Sequence, residues 1–488
     1  MTRAGSSCGS RPRRLAPIFP VTTRHSVSLY PFAVGAALPD AGPVIGLDVL
    51  TGGTVFHYDP WELYARGLLT SPNMVVLGQL GKGKSSLVKT HLHRQILHGR
   101  QAYVLDPKGE YRALAALHGI PHLRLGPGSP DRLNPLDPSP GDGRDQTHRR
   151  RVETVTALAA CGLGRDLHAE ERAAVSAAAL DLPDRALLRH LVEGLLEPTR
   201  QLADRLSTTP TALAAAVRPL ALELGRLLDG DLAGMLDAPS SHHLDPDGPG
   251  LVLDLSAVFG TPALPAVMVC AGAWLSRTLT SGADGSVMGE GLRRQRLLLV
   301  DEAWAVLHLP ATTAWLQALS KLARAHGVQL ITVVHRASDL SGQADAGTAA
   351  QSRAQGLLAD AETRVLYTQT AGERAVLRDL LDLTDVESQL ITQLPPHRAL
   401  WQVGRHRAVV DHVLSALERD RLVDTDQHMR TPSVRSLTPA GPTVDWAERA
   451  ARQLPGPDMP VDGPGEGAGR SWRVRQPLPT PATDGRTS

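Results

Sequence analysis

The sequence predicts an α/β fold with a mainly parallel sheet and an all-helical segment inserted into it. Three observations support this prediction. An apolar strand runs through a glycine-rich turn into a helix near residue 80, a second apolar strand ends in two carboxylates near residue 301, and residues between them are rich in Ala, Leu and Arg at helical spacing. Strands that alternate with helical patterns are typical of βαβ units, whose strands are parallel.

The glycine-rich turn follows the short apolar strand Val75–Leu77 and matches the full pattern of Gly, four residues, Gly-Lys-Ser. This pattern is a phosphate-binding P-loop, because glycines let backbone N–H groups turn inward at the positive end of the following helix, predicted here to end at Gly99. We expect Lys84 to reach the β- and γ-phosphates of ATP and Ser85 to ligate Mg²⁺. The predicted nucleotide-binding residues are Gly78, Gln79, Leu80, Gly81, Lys82, Gly83, Lys84, Ser85 and Ser86.

The next strand, Ala102–Leu105, completes a βαβ unit and leads into Asp106-Pro107-Lys108-Gly109-Glu110-Tyr111. Because the site lies at the carboxyl ends of parallel strands, this topology places Asp106 and Glu110 near it. The alternative, that they only cap a helix beginning at Glu110, stays open. Lysine is scarce, and four of the chain's five lysines fall between residues 82 and 108, which suits phosphate binding.

The strand Leu297–Val300 ends in Asp301-Glu302. Downstream of a P-loop, this pattern indicates the second half of a nucleoside-triphosphatase site, in which Asp301 holds Mg²⁺ through water and Glu302 orients and deprotonates the attacking water. A later strand, Val328–Val334, ends in His335. We weigh two roles for His335, a hydrogen bond to the γ-phosphate or the water, and a structural strand-end histidine.

Composition restricts the classes of function. The 51 basic and 50 acidic residues give a net charge of +1, so any nucleic-acid contact needs a local patch. Cys8, Cys161 and Cys270 lie too far apart for metal spacing, and we expect reduced cytosolic thiols. The uncharged stretch 256–276 is broken by glycine and prolines, which predicts a buried helix and no transmembrane segment.

Predicted domain boundaries follow from these patterns and from Pro- and Gly-rich ends. We predict, in order, a disordered basic N-terminus (1–24), a small β lead-in (25–70), the first part of the P-loop domain (71–146), an all-helical insertion (147–245), the second part of that domain (246–427) and a disordered tail (428–488).

Several blocks together resemble one family, the conjugative-transfer (type IV secretion) assembly ATPases of the VirB-four and TraC kind, within the FtsK and HerA superfamily. The matching blocks, in the family's order, are the P-loop, the Asp106–Tyr111 segment, Asn134-Pro135-Leu136-Asp137, a helical insertion, Leu299-Val300-Asp301-Glu302-Ala303-Trp304, a basic helix end at residues 321–327 and a closing segment at 418–426 that contains Asp424-Thr425. The resemblance covers residues 70–426 and implies a RecA-like P-loop NTPase fold.

The resemblance also implies a function. It implies an ATP-hydrolysing, Mg²⁺-dependent motor that energises a transfer apparatus, with a hexameric homo-oligomer and membrane components as partners. In such rings an arginine from a neighbouring subunit enters the site, and Arg324 is our first candidate, with Arg364 second. For either residue the alternative stays open that it is a surface arginine on a solvated helix face or strand end. The expected location is the cytoplasm, with peripheral attachment to the inner face of the cell membrane as an alternative.

The sequence departs from the family in two respects, and two alternative functions remain open. The family usually has Gln where His335 stands, and its large N-terminal domain corresponds here to about 70 residues. The alternative functions are a DNA translocase or coupling protein of the same superfamily, with DNA as partner, and a nucleotide-binding scaffold without significant hydrolysis.

Overall fold

A computed structural model of the chain describes residues 38–138, 143–230, 232–242, 245, 248–280, 295–307, 310–336, 356 and 358–423. The predicted disordered ends, 1–24 and 428–488, lie outside these residues, as do Asp424 and Thr425 of the closing segment. In the described part of the chain, eleven strands form one sheet.

The strands are β1 (Val44–Asp48), β2 (Thr54–His57), β3 (Met74–Leu77), β4 (Gln101–Asp106), β5 (His122–Arg124), β6 (Gly250–Asp254), β7 (Arg296–Val300), β8 (Val328–Val334), β9 (Thr363–Leu366), β10 (Arg398–Val403) and β11 (His406–His412). Their order across the sheet is β2-β1-β11-β10-β9-β3-β8-β7-β4-β6-β5. The seven strands from β9 to β5 are parallel, and the four from β2 to β10 pair in antiparallel fashion. The predicted fold class, α/β with a mainly parallel sheet, is confirmed.

The helices are α1 (Pro60–Ala65), α2 (Lys84–Leu97), α3 (Arg112–His118), α4 (Arg144–Leu163), α5 (Ala169–Leu180), α6 (Leu188–Leu196), α7 (Arg200–Arg205), α8 (Pro210–Asp229), α9 (Leu264–Thr280), α10 (Trp304–Leu307), α11 (Pro310–Ala325), α12 (Ala371–Leu381) and α13 (Asp385–Leu390). Helices α4 to α8 follow one another without an intervening strand, between β5 and β6. Between residues 144 and 229 the described elements are therefore all helices, and most of this range lies in the segment 147–245 predicted as an all-helical insertion.

The central strand β3 is buried on both faces because its side chains alternate between two hydrophobic layers. Val75 and Leu77 join the layer that also contains the insertion helices, whereas Met74 and Val76 join the layer formed with α2. This packing fixes the start of the P-loop, defined here as residues 78–85, at the carboxyl edge of the sheet.

The strands β1 and β2 lie within the segment predicted as a β lead-in. They extend the main sheet, because β1 pairs with β11. The guanidinium of Arg94 in α2 also binds the carboxylate of Glu418 (Nε to Oε1, 2.6 Å), which joins the helix after the P-loop to the last described segment. Among the described residues, no helix is both long and apolar enough to cross a membrane.

Candidate functional site

The P-loop has the backbone that phosphate binding requires. Gly81 and Gly83 have φ values of 71° and 109°, in the left-handed region that favours glycine. Helix α2 begins at Lys84 with Gly83 as its N-cap, and no side chain caps its first N–H groups. A methyl group at Gly81 would meet no atom within 4 Å, so the tip of the loop is open. The free N–H groups and the open tip form a cradle for an anion at a helix N-terminus.

Residues from the ends of the neighbouring strands hold this loop in shape. A Cβ atom on Gly78 would lie 2.4 Å from the Cβ of Tyr367, and one on Gly83 would lie 3.0 Å from Nδ1 of His397. The backbone N–H of His397 donates to the carbonyl of Lys82 at 2.9 Å. Sequence reasoning missed Tyr367 and His397, because no local pattern marks a contact made across such long chain separations.

The ammonium group of Lys84 is folded back onto the P-loop. It donates to the carbonyl of Gly78 and, at 2.8 Å, to that of Gln79. Burial lowers the pKa of Lys84 to about 8, although the nearby carboxylates of Glu302 and Asp301 act to raise it. The loop carbonyls thus bind a cation that phosphate oxygens would bind more strongly.

Asp301 and Glu302 follow β7, which β8 separates from β3. The buried Asp301 carboxylate accepts a hydrogen bond from the hydroxyl of Tyr111 (2.9 Å) and one from the N–H of Glu302 (2.9 Å). Burial, and then the charge of Glu302, raise the pKa of Asp301. Carboxylate oxygens such as these are among the ligands that Mg²⁺ prefers.

Glu302 is held more tightly than any other site carboxylate. Its backbone has φ of 52°, an uncommon value for a residue with a side chain. Its carboxylate accepts hydrogen bonds from Nε2 of His335 (2.7 Å to Oε1), from Nζ of Lys108 (2.5 Å to Oε1) and from the indole N–H of Trp304. Burial alone would raise the pKa of Glu302, but the bonds from His335 and Lys108 outweigh it and lower the pKa to about 2.

Asp106 shapes the turn that carries two of these partners. Its fully buried carboxylate accepts the backbone N–H groups of Glu110 (3.0 Å) and Tyr111 (2.9 Å), and burial raises its pKa to about 7. The turn then delivers Tyr111 to Asp301 and Lys108 to Glu302. Glu110 pairs with the buried Lys89 at 3.2 Å. Asp106 thus caps the segment and also builds the site, while Glu110 anchors α2.

The structure brings most of the predicted residues to one edge of the sheet. The P-loop, Asp301, Glu302 and His335 lie at the carboxyl ends of β3, β7 and β8, and Ser85 is half-buried in the first turn of α2. Lys108, Tyr111 and Trp304 were recognised only as parts of motifs, and their contacts assign them to this site.

The two arginine candidates differ. Arg324 belongs to α11, but its side chain lies outside the described residues. The guanidinium of Arg364 donates to the carbonyls of Ala361 (3.2 Å) and Leu358 (3.1 Å), residues that precede β9 and so lie at the opposite edge from the P-loop.

ATP and Mg²⁺ fit the residues present. The open P-loop and Lys84 suit the phosphates of a nucleotide, and Ser85 and Asp301 would supply the oxygen ligands that Mg²⁺ prefers. Among the described residues, no group of three or more His, Cys, Asp or Glu side chains is arranged to hold a metal. Mg²⁺ does not need such a group, since it keeps several waters and binds one or two protein ligands together with substrate phosphates.

No protein-family model matches the chain, and no curated protein matches it. Among solved structures, VirB4 of Thermoanaerobacter pseudethanolicus superposes with a TM-score of 0.62 at 20% identity, over 79% of this chain and 100% of that chain. The bacterial conjugative coupling protein TrwB superposes with a TM-score of 0.52 at 17% identity, over 70% and 84% of the two chains. TrwB in complex with ADP and Mg²⁺ gives 0.53 at 18% identity, over 70% and 86%.

At these identities the similarity establishes the fold. This chain shares the RecA-like P-loop architecture of VirB4 and TrwB. The fold that the resemblance implies, a RecA-like P-loop NTPase, is thereby confirmed.

Proposed function

We propose that this chain is an ATP-hydrolysing motor that energises a conjugative or type IV secretion-like transfer apparatus. The observation that carries the proposal is the convergence of a P-loop and a fully oriented Glu302 at one edge of the sheet, with His335 bound to the Glu302 carboxylate at 2.7 Å. The shared fold with VirB4, and the complex of TrwB with ADP and Mg²⁺, support the choice of apparatus and of ligands.

In the proposed site, Lys84 and the N–H groups of the P-loop bind and orient the phosphates of ATP. Ser85 and Asp301 would hold Mg²⁺, which would neutralise phosphate charge when bound. Glu302 positions the attacking water and accepts its proton, and His335 keeps the Glu302 carboxylate aimed at that position.

The test is Mg²⁺-dependent ATP turnover by the wild type, Lys84→Ala and Glu302→Gln. We expect Glu302→Gln to bind ATP but to lose turnover by about 100-fold or more, the usual size of a general-base effect, and Lys84→Ala to lose binding as well. The exposed Lys321, replaced by Gln, is the matched control and should match the wild type. Equally slow hydrolysis by the wild type and Glu302→Gln would exclude the motor and leave the nucleotide-binding scaffold.

The fold shared with TrwB favours a DNA translocase or coupling protein as the second candidate. The discriminating measurement is ATP turnover with and without DNA over a range of salt concentrations. Strong stimulation by DNA that falls steeply with salt would favour the translocase, because phosphate contacts release counterions. Turnover that is indifferent to DNA would favour the assembly motor.

The proposal also includes an oligomeric state and partners. We expect a hexamer in which Arg324 of one subunit enters the site of its neighbour, membrane components of the apparatus as partners, and a cytoplasmic protein docked at the inner face of the membrane. Native mass measurements with and without ATP test the hexamer, and a constant monomer mass under both conditions would overturn it.

A further inference from the structure

Four hydrogen-bond contacts from three donors reach the Glu302 carboxylate, which offers only about four lone-pair sites. Lys108 lies 2.5 Å from Oε1, His335 lies 2.7 Å from Oε1 and 2.8 Å from Oε2, and Trp304 donates to Oε2. A general base needs a free lone pair within hydrogen-bond reach of the water that it deprotonates. At least one donor must therefore leave Glu302 before it can act.

Lys108 is the donor that is best able to leave. Trp304 belongs to helix α10, and His335 directly follows β8, so their rings are attached to packed elements. The side chain of Lys108 is 27% exposed, and its ammonium group sits at the end of a flexible stem. Its backbone is fixed, because Asp106 holds the N–H groups of Glu110 and Tyr111 later in the same turn. The ammonium can thus move by side-chain rotation alone.

The terminal phosphate of ATP supplies a destination for this ammonium. Glu302 is proposed to face the water that attacks that phosphate, and Lys108 contacts Glu302. Besides burial, the charge of Lys108 acts to lower the pKa of Lys84, so Lys108 lies close enough to the P-loop lysine to influence it. A phosphate carries more negative charge than a carboxylate and competes well for a compact ammonium. Lys84 is in a comparable position, since it is held by carbonyls of Gly78 and Gln79 that phosphate oxygens would replace.

We propose that Lys108 is a positioning residue that clamps Glu302 in the nucleotide-free protein and moves to the terminal phosphate when ATP binds, which releases Glu302 for the attacking water. ADP lacks that phosphate, so Lys108 stays on Glu302 in the ADP complex. Glu302 is therefore free to act as a base only when ATP, with its terminal phosphate, is bound. This inference rests on the ATPase function proposed above.

The test is equilibrium binding of a non-hydrolysable ATP analogue and of ADP, both with Mg²⁺, to the full chain. We compare the wild type with Lys108→Gln, Glu302→Gln and the double variant, and use Lys321→Gln as the control. Lys108→Gln should weaken analogue binding about tenfold, the loss expected for one charge-assisted hydrogen bond, and leave ADP binding within about twofold. Glu302→Gln should tighten analogue binding when Lys108 is present, because removal of the carboxylate charge frees the Lys108 ammonium for the phosphate. In the Lys108→Gln background the same change should have a smaller effect, because there is no ammonium to free.

Two results would overturn the clamp. One is an equal effect of Lys108→Gln on both nucleotides, or no effect on either. The other is the same effect of Glu302→Gln in both backgrounds. Thermal melting of each variant checks folding, and Lys108→Arg, which keeps the charge, should retain part of the preference for the analogue. Since binding is measured without turnover, absent hydrolysis by the wild type would end the proposed function and not the clamp.

Discussion

The hydrogen bond from His335 to Glu302 (2.7 Å) favours a role that neither of the two sequence-based interpretations of this histidine included. In the proposed site, this bond positions the base. We predict that His335→Ala lowers kcat by about 10- to 100-fold, the equivalent of one hydrogen bond to a charged group, with little change in the affinity for ATP.

His335→Gln should recover most of the activity that His335→Ala loses, because a Gln amide can donate to the same carboxylate. The matched control is His242→Ala, since His242 is an exposed histidine paired with Asp131 at the surface. Steady-state kinetics with separate kcat and KM values check both variants. Loss of ATP affinity with unchanged kcat would instead place His335 on the phosphate.

Some side chains of the site can be predicted from the sequence, and others cannot. The P-loop lysine and the Asp301-Glu302 pair follow from local patterns, because strand, turn and helix are consecutive there. Lys108 falls in the lysine-rich stretch 82–108, but no role of its own was predicted for it; the structure places it on Glu302. The roles of Trp304 and Tyr111 were not predicted, since a hydrogen bond such as Tyr111 to Asp301 joins distant parts of the chain.

The P-loop depends on its neighbouring strand as well as on its own glycines. A Cβ atom at Gly78 would lie 2.4 Å from the Cβ of Tyr367, which no real contact tolerates. We predict that Gly78→Ala pushes the loop out of place, destabilises the protein by about 1–3 kcal/mol and abolishes nucleotide binding. Thermal melting and nucleotide titration measure the two effects.

Gly99→Ala is the matched control for Gly78→Ala. Gly99 has a positive φ of 81° and no atom within 4 Å of its missing Cβ, so this variant has backbone strain without a clash near the loop. It should be less stable than the wild type and still bind nucleotide. Normal binding by Gly78→Ala would contradict the packing account.

Most strands and helices could be predicted from the sequence, but the order of the strands across the sheet could not. The periodicity of the β8 segment predicts Val328–Val334, which is the strand observed. Nothing in that pattern indicates that β8 lies between β3 and β7, or that β1 and β2 join the sheet through β11. Order depends on which hydrophobic faces meet after collapse, and local pattern does not carry that information.

Buried histidines make the stability of the whole chain depend on pH. His91 in α2 bonds to Gln329 of β8 at 3.1 Å, and burial lowers its pKa to about 4. The unfolded chain takes up this proton near pH 6.5 and the folded chain does not, so stability should fall as pH drops from about 6.5 to about 4, by about 3 kcal/mol from His91.

Urea unfolding at several pH values, for the wild type and His91→Gln, isolates this contribution. Gln retains a hydrogen-bonding group beside Gln329 and does not titrate, so the variant should lose less stability on acidification. The comparison between variants is needed because Asp106, with its pKa raised to about 7, acts in the opposite direction. Identical pH slopes for the two proteins would show that His91 is not the group responsible.

Assembly can be tested with two inactive variants. If Arg324 acts in a neighbouring site, Lys84→Ala and Arg324→Ala should each be inactive. In rings formed at random from an equal mixture, about a quarter of the sites combine an intact Lys84 with an intact Arg324 from the neighbour, so about a quarter of the activity should return. A mixture of Lys84→Ala with the variant carrying both changes cannot regain any. An inert first mixture, or full activity of Arg324→Ala alone, would rule out this arginine.

The central claim is that the P-loop and Glu302 form one hydrolytic site. The most direct measurement is the identity of the nucleotide recovered from purified protein after incubation with ATP and Mg²⁺. We predict intact ATP on Glu302→Gln and ADP on the wild type. ADP on both proteins, or intact ATP on both, would contradict the assignment of Glu302 as the base of this site.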